Sequence, residues 1–154
     1  MRQGILVPYD GSSNAVQALK LAIEMAKALG ESIIVLNVQP TFETVHTKMF
    51  FSKSQIQEYQ QQLFKEVIAP AVELLQSEKV DYTENLRIGD AKTQICLEAA
   101  GGRIDADACS AEGVRMIIMG SRGMNAMVGG VLGSVSYGVL HQAPCPVMVV
   151  PFSC

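Results

Sequence analysis

The 154-residue chain contains no tryptophan, only two histidines (His46 and His141) and only four cysteines. No two of the cysteines have CxxC spacing, so the sequence does not predict a structural zinc site. A disulfide framework is not expected in a chain of this size without an export signal. The only apolar run near the N-terminus is residues 5–7, which Pro8 ends. That run is too short for the core of a secretory signal peptide.

Charge is also scarce. Charged residues make up 18% of the chain, the net charge is −3, and residues 123–154 carry no formal charge. Nothing in this balance indicates binding to nucleic acid or to an anionic membrane. Glycines and prolines interrupt residues 123–154 before any apolar stretch reaches the roughly 18–20 residues that a membrane span needs. We therefore expect a soluble cytoplasmic protein with no nucleic-acid or membrane partner.

The apolar pattern alternates between strands and helices. Hydrophobic residues make up 49% of the chain, enough for one domain with its own core. Strands are predicted at residues 4–8, 32–38, 82–88, 114–120 and 146–151. Helices are predicted from apolar steps of three and four. The first helix has one apolar face, formed by Val16, Leu19, Ile23 and Ala26, and ends at Gly30. The second has a capping box at Ser54 and Gln57 and an apolar stripe formed by Ile56, Leu63, Val67, Ala71 and Leu74, and two short helices cover 93–100 and 134–141. Pro70 should kink or split the second helix, and 39–53 is predicted to be a connection.

This alternation predicts an α/β fold, a single open parallel five-stranded sheet with helices on both faces. Ligands of such sheets bind at the carboxyl ends of the strands, where the strand order reverses. Polar, glycine-bearing segments follow the first strand (8–12) and the fourth strand (120–123). If the order is 3-2-1-4-5, both segments border one crevice.

The segment after the fourth strand has the pattern G-x2-G-x9-G-S, from Gly120 and Gly123 to Gly133 and Ser134. Glycines allow positive φ angles and close approach of the backbone to an anion, and a helix start offers free N–H groups. The pattern has no Gly-Lys-Ser/Thr tail, so it is not a P-loop, and it lacks the G-x-G-x-x-G of a dinucleotide-binding fold. It indicates a phosphate-binding loop of another kind.

The pattern resembles the nucleotide-binding signature of the universal stress protein family, G-x2-G-x9-G-(S/T). Residues 5–12, 35–38, 87–90 and 141–150 are also similar to family segments, in the right order along nearly the whole chain. The resemblance implies an adenine nucleotide alpha-hydrolase-like fold in a single domain over residues 1–154. Residues 101–113 depart from the family, whose connection is usually shorter here, and are expected to be a surface insertion.

The resemblance also implies an ATP site. Asp10 would lie near the adenosine and the Val38 backbone would contact adenine, while Gly120 and Gly123 let the chain pass along the ribose and phosphates. The candidate ATP-binding residues are Pro8, Asp10, Ser12, Val38, Met119, Gly120, Arg122, Gly123, Gly133, Ser134 and Val135. Mg²⁺ or Mn²⁺ would accompany the triphosphate, with no dedicated metal site. Taken alone, Asp10 could instead cap the first helix, the glycines could be conformational, and Arg122 could point to solvent.

No catalytic constellation is visible in the sequence, which favours holding ATP over rapid turnover. The resemblance implies a nucleotide-dependent stress-response regulator or sensor. Two alternatives stay open. One is a slow ATPase or autokinase on the same fold. The other is a dimeric interaction module whose loop is empty or holds AMP or a cyclic nucleotide.

The last strand is apolar and would lie at a sheet edge, which is a poor edge to leave open. Family members commonly pair this strand across a two-fold axis. The resemblance therefore implies a homodimer, and the predicted interface residues are Val147, Met148, Val149 and Val150.

Overall fold

The computed structural model describes residues 4–101, 114–123 and 132–153. The elements in chain order are β1 (Gly4–Pro8), α1 (Ser13–Leu29), β2 (Ser32–Gln39), α2 (Val45–Phe50), α3 (Lys53–Ser77), β3 (Tyr82–Ile88), α4 (Ala91–Ala99), β4 (Val114–Gly120), α5 (Ser134–Gln142) and β5 (Val147–Val150). Apart from Gly101, the predicted insertion at 101–113 lies outside the described residues.

The five strands form one parallel sheet in the order β3-β2-β1-β4-β5. In the centre, Leu6 of β1 is level with Ile34 of β2 and Ile117 of β4. The predicted strand order is therefore confirmed. The order reverses between β1 and β4, so the loops that leave these two strands diverge and open a crevice at their carboxyl ends.

Helices cover both faces of the sheet, as predicted. In β1, Ile5 and Val7 face α1 and α3, while Leu6 faces α4 and α5, and all three side chains are fully buried. Successive strand residues point to opposite faces, so a strand covered on both sides must be apolar at every position. This requirement explains why β1 is a continuous apolar run.

Two predictions about the second crossover are wrong. The connection at 39–53 contains the six-residue helix α2, which begins after a Thr44–Thr47 capping box. The capping box of α3 is formed by Ser52 and Gln55, two residues earlier than predicted: the Ser52 hydroxyl accepts from the Gln55 N–H, and the Gln55 side chain accepts from the Ser52 N–H. The helix α2 escaped the apolar pattern because none of its residues is buried.

The buried face of α3 also differs from the predicted stripe. The residues of α3 that are buried are Ile56, Gln60, Phe64, Ile68, Ala71 and Leu75. Ile56 and Ala71 of the predicted stripe are buried, whereas Leu63, Val67 and Leu74 lie at the margin of the buried face. Pro70 does not split the helix, which continues to Ser77.

The remaining boundaries agree with the sequence within two residues. Gly30 ends α1 with a left-handed φ of 69°, as predicted. The helix α4 begins at Ala91 rather than at residue 93, because the Asp90 carboxylate accepts hydrogen bonds from the Thr93 hydroxyl (2.7 Å) and N–H (3.2 Å) and so caps it. These two hydrogen bonds lower the pKa of Asp90, and the bond from the Thr93 hydroxyl has the larger effect.

Candidate functional site

A cavity of about 680 Å³ opens at the carboxyl ends of the central strands. Its size is that of a typical small-molecule site. The lining residues are Pro8, Tyr9, Asp10, Ala15, Leu36, Val38, Ala91, Ile95, Met119, Gly120, Arg122, Gly123, Leu132, Gly133, Ser134, Val135 and Ser136.

All of the candidate ATP-binding residues except Ser12 line this cavity. The fold thus brings residues from four separate segments of the chain to one place, as the sequence predicted. Residues 124–131 of the glycine motif lie outside the described residues. The binding role of each lining residue remains a prediction.

At the exit of β1, the helix cap is Ser12 and not Asp10. The Ser12 hydroxyl accepts a hydrogen bond from the Ala15 N–H (3.1 Å), and Asp10 Oδ1 accepts one from the Ser12 N–H (2.9 Å). Gly11, with a φ of 83°, makes the tight turn between them. The capping interpretation of Asp10 is therefore wrong. Its second oxygen, Oδ2, lies on the side of Gly123.

Because Ser12 caps α1, we expect Ser12→Ala to lower the stability of the fold and to leave binding in the cavity unchanged. Loss of an N-cap hydroxyl should lower the free energy of unfolding by about 1 kcal/mol. The affinity for ATP, the ligand that the sequence predicts, should change by less than about twofold, a shift of under 0.5 kcal/mol. Urea unfolding and calorimetric titration with Mg-ATP measure the two effects.

The matched control is Ser13→Ala, at the exposed first residue of α1. This variant should leave the free energy of unfolding within about 0.5 kcal/mol of the parent protein. A large loss of affinity in Ser12→Ala at unchanged stability would instead restore Ser12 as a ligand contact.

At the exit of β4, the glycines provide space rather than unusual backbone angles. Gly120, Gly123 and Gly133, the described glycines of the motif, have no left-handed φ, although glycine allows one. A Cβ atom at Gly120 would lie 2.7 Å from Asn14 Oδ1, and one at Gly123 would lie 3.1 Å from Asp10 Oδ2. The two glycines let the chain pass close to α1 and to the β1 exit.

The N-terminus of α5 faces the cavity without a side-chain cap. Gly133 is the N-cap residue, and its carbonyl accepts from the Tyr137 N–H (3.0 Å). The first N–H groups of a helix have no intrahelical acceptor and sit at the positive end of its dipole. Ser134 and Val135 line the cavity here, and both are exposed. This end of the cavity therefore suits an anion.

Arg122 adds positive charge to the same end. The residue is half-buried and lines the cavity. Within the described ranges its guanidinium forms no ion pair or hydrogen bond, whereas its backbone N–H donates to Asn14 Oδ1 (2.9 Å). Asn14 thus holds the backbone of Arg122 at the cavity that the residue lines.

The opposite end is formed by β2. The ladder between β1 and β2 ends at Pro8 and Leu36, and the Tyr9 N–H donates to the Leu36 carbonyl (2.7 Å). Peptide groups two residues apart in a strand face the same side. The N–H and C=O of Val38 therefore face the space beyond β1, where Val38 lines the cavity.

Sequence reasoning missed several lining residues. These are Tyr9, Ala15, Leu36, Ala91, Ile95, Leu132 and Ser136. Leu36 could have been inferred, because it shares a strand face with Val38. Ile95 is 2% exposed and comes from α4, which the glycine pattern does not mention. Burial, and then the charge of Asp10, raise the pKa of the Tyr9 hydroxyl.

Metal ligands are sparse in the part of the chain that the structure describes. Residues 4–101, 114–123 and 132–153 contain no group of three or more His, Cys, Asp or Glu side chains that could hold an ion. Cys96 and Cys145 are free and half-buried. Burial, and then the proximity of Cys96, raise the pKa of the Cys145 thiol to about 11.

A membrane-crossing helix was not expected from the sequence. Among the helices of the described ranges, none combines the length and apolarity that crossing a membrane requires.

The fold is similar to that of several solved proteins. A universal stress protein UspA from Lactobacillus plantarum is 21% identical, with a TM-score of 0.77 over 97% of this chain and 99% of that one. A universal stress protein from Archaeoglobus fulgidus in complex with dAMP is 20% identical, with a TM-score of 0.64 over 97% of both chains. An Arabidopsis thaliana family protein with AMP bound is 18% identical, with a TM-score of 0.66 over 99% of this chain and 93% of that one. The predicted adenine nucleotide alpha-hydrolase-like fold is confirmed.

Sequence comparison gives the same result. A universal stress protein from Thermus aquaticus is 29% identical over 97% of this chain and 99% of its own length. One from Mycobacterium tuberculosis is 30% identical over 96% of this chain, which spans only 48% of that relative. The sequence model of the universal stress protein family matches residues 1–151. The chain therefore belongs to the universal stress protein family.

Proposed function

We propose that the chain binds ATP in this cavity and acts as a nucleotide-dependent regulator or sensor in a stress response. One observation carries the proposal: a single cavity joins the peptide groups of Val38 at one end to the uncapped N-terminus of α5 at the other. The AMP and dAMP bound by related family proteins support an adenine nucleotide as the ligand class.

The β2 end suits adenine. A peptide N–H and C=O that face the same space can pair with the ring nitrogen and the amino group of adenine, since these present an acceptor beside a donor. Leu36 and Ile95, both buried, and Ala91 provide an apolar wall for the ring. Val38 is the residue whose backbone the family resemblance assigns to this contact.

The middle of the cavity suits a ribose. Asp10 lines the cavity at the exit of β1, the strand that lies between β2 and β4 in the sheet, and its Oδ1 accepts from the Ser12 N–H. Its Oδ2 can accept a hydrogen bond from a sugar hydroxyl. Pro8 and Met119, at the ends of the two central strands, complete this part of the lining.

The α5 end suits the phosphates. The N–H groups of the first turn, which have no intrahelical acceptor, the Ser134 hydroxyl and the Arg122 guanidinium are donors of the kind that bind phosphate oxygens. Gly120, Gly133 and Val135 line the same region without bulky polar side chains. Mg²⁺ or Mn²⁺, bound to the triphosphate, would neutralise part of its charge.

We propose retention of ATP rather than rapid turnover. Among the described lining residues, Asp10 is the only carboxylate and histidine is absent. Asp10 belongs to the β1 exit, whereas phosphoryl transfer needs a group that orients the nucleophile beside the terminal phosphate. A slow ATPase or autokinase would therefore need residues other than the described ones that line the cavity.

Native mass spectrometry of freshly purified protein, followed by titration with Mg-ATP, AMP and cyclic AMP, tests the proposal. We expect one nucleotide per chain, with ATP preferred, and bound ATP that keeps its mass over an hour of incubation. Rapid appearance of ADP or of a phosphorylated chain would favour the slow-enzyme alternative. A protein that binds none of the three nucleotides would contradict the proposal and favour the alternative of a dimeric interaction module.

The same spectra test a homodimer through β5, which we also propose. The strand lies at the edge of the sheet, its four residues Val147–Val150 are apolar, and Met148 is 38% exposed. The opposite edge strand, β3, instead carries exposed Thr83 and Glu84. Polar and charged residues protect an edge from pairing, and an apolar edge invites it. A monomer at micromolar concentration would contradict this arrangement.

A further inference from the structure

Asn14 is a buried polar residue that no sequence pattern singled out. It lies in the first turn of α1 and is 2% exposed. Its side chain is not part of the cavity wall, yet it contacts the turn that follows β4. A buried amide at this place costs stability unless its polar atoms are all bonded.

All the hydrogen-bonding groups of the Asn14 amide are used. Oδ1 accepts from the Arg122 N–H (2.9 Å) and from the Ser121 hydroxyl (3.4 Å). Nδ2 donates to the Val150 carbonyl (3.1 Å) and to Gln17 Oε1 (3.2 Å). One side chain thus joins α1 to the ends of β4 and β5.

The amide also fits closely against Gly120. A Cβ atom at Gly120 would lie 2.7 Å from both Asn14 Cγ and Oδ1. The missing side chain of Gly120 is therefore the space that the Asn14 amide occupies. Contact and hydrogen bonds together fix where the chain turns after β4.

We propose that Asn14 is a positioning residue for the phosphate end of the site, acting through the backbone of Arg122. The inference rests on the proposed function. Arg122 and the neighbouring Gly123 line the α5 end of the cavity. Within the described residues, the hydrogen bonds of Asn14 do not involve Leu36, Val38 or Ile95, which line the proposed adenine end. Asn14 should therefore affect the contribution of the phosphates to affinity and leave the contribution of adenosine unchanged.

The test variant is Asn14→Leu, which has a similar volume and no hydrogen-bonding groups. We expect the affinity ratio of Mg-ATP to adenosine, measured by calorimetry, to fall at least about tenfold, which is about 1.4 kcal/mol. The affinity for adenosine itself should stay within about twofold. Hydrogen exchange of the Arg122 amide in the nucleotide-free protein should be faster.

The matched control is Gln17→Leu, on the same helix. Gln17 forms hydrogen bonds with Asn14 and with the backbone and hydroxyl of Ser153, and none of these involves the turn after β4. The affinity ratio of Mg-ATP to adenosine in Gln17→Leu should therefore equal that of the parent protein. If Asn14→Leu does not fold, Asn14→Ser replaces it, because its shorter hydroxyl does not reach the Arg122 N–H. The same fall in the ratio is expected.

Each outcome of this experiment either supports or overturns the positioning role of Asn14. A selective fall in the ratio, absent from the control, supports the positioning role. Equal losses for adenosine and ATP would show a merely structural residue and overturn it, as would an unchanged ratio. A parent protein that binds neither adenosine nor ATP would overturn the proposed function, and with it this inference. A parent that binds both, with an unaffected Asn14→Leu, would overturn this inference alone.

Discussion

Gly123→Val is expected to abolish measurable ATP binding while the fold is retained. A Cβ atom added at this position would lie 3.1 Å from Asp10 Oδ2, which is already a tight contact. Valine adds two methyl groups beyond that atom at the cavity wall. The added bulk crowds the carboxylate and fills space that the proposed ribose and phosphates need. We expect the dissociation constant for Mg-ATP to rise by at least about 100-fold, or about 2.7 kcal/mol.

The fold should tolerate this substitution. Gly123 is exposed and its φ lies outside the left-handed region, so a side chain there imposes no backbone strain. The unfolding temperature without nucleotide should stay within about 2 °C of the parent value. Gly123→Ala is the graded control, since a single methyl group requires the Asp10 carboxylate to shift by only a few tenths of an ångström. ATP binding by Gly123→Val within threefold of the parent would contradict the location of the site.

The sheet could be predicted because each strand satisfies a demanding local condition. Strands covered on both faces must be apolar at every position, and Ile5, Leu6 and Val7 meet this condition without interruption. The order followed from the placement of the polar strand exits at 8–12 and 120–123. Topology and crevice were thus encoded in short segments.

The lining of the cavity was only partly predictable. Glycine spacing marked the β4 exit and the N-terminus of α5, but Tyr9 and Ile95 reach the cavity through tertiary packing. The family resemblance placed Ser12 among the ligand-binding residues, whereas its hydroxyl accepts a hydrogen bond from the Ala15 N–H and caps α1. Asn14 carries no local pattern, and three of its four hydrogen-bond partners, Ser121, Arg122 and Val150, lie more than 100 residues away in the chain.

The helix α3 shows why part of a predicted helical stripe can be wrong by one position: Ile56 and Ala71 are buried, but Leu63, Val67 and Leu74 each lie one residue before a buried one. Over 25 residues, apolar positions occur on more than one possible face, and leucines stand side by side at 74 and 75. Both choices satisfy the spacing of three and four. Only packing against the sheet decides between them, and it selects the face that contains Phe64, Ile68 and Leu75.

Leu75→Ala and Leu74→Ala turn this difference into a measurement. Leu75 is fully buried in the core between α3 and the sheet, whereas Leu74 packs at its margin. Leu75→Ala removes buried methyl groups and leaves a cavity, so the free energy of unfolding should fall by about 2 to 5 kcal/mol. The total free energy of unfolding of a native protein is about 5 to 15 kcal/mol, so this loss is a large fraction of it.

Leu74→Ala is the matched control, with the same chemical change at the next residue of the same helix. We expect it to cost about 1 kcal/mol, because its side chain is only partly removed from water in the folded protein. Urea unfolding of the two variants gives both values under one condition. Since neither residue lines the cavity, ATP affinity of the folded fraction should be unchanged in both. A larger loss for Leu74→Ala than for Leu75→Ala would favour the stripe through Leu63, Val67 and Leu74, and would contradict the packing of α3 described above.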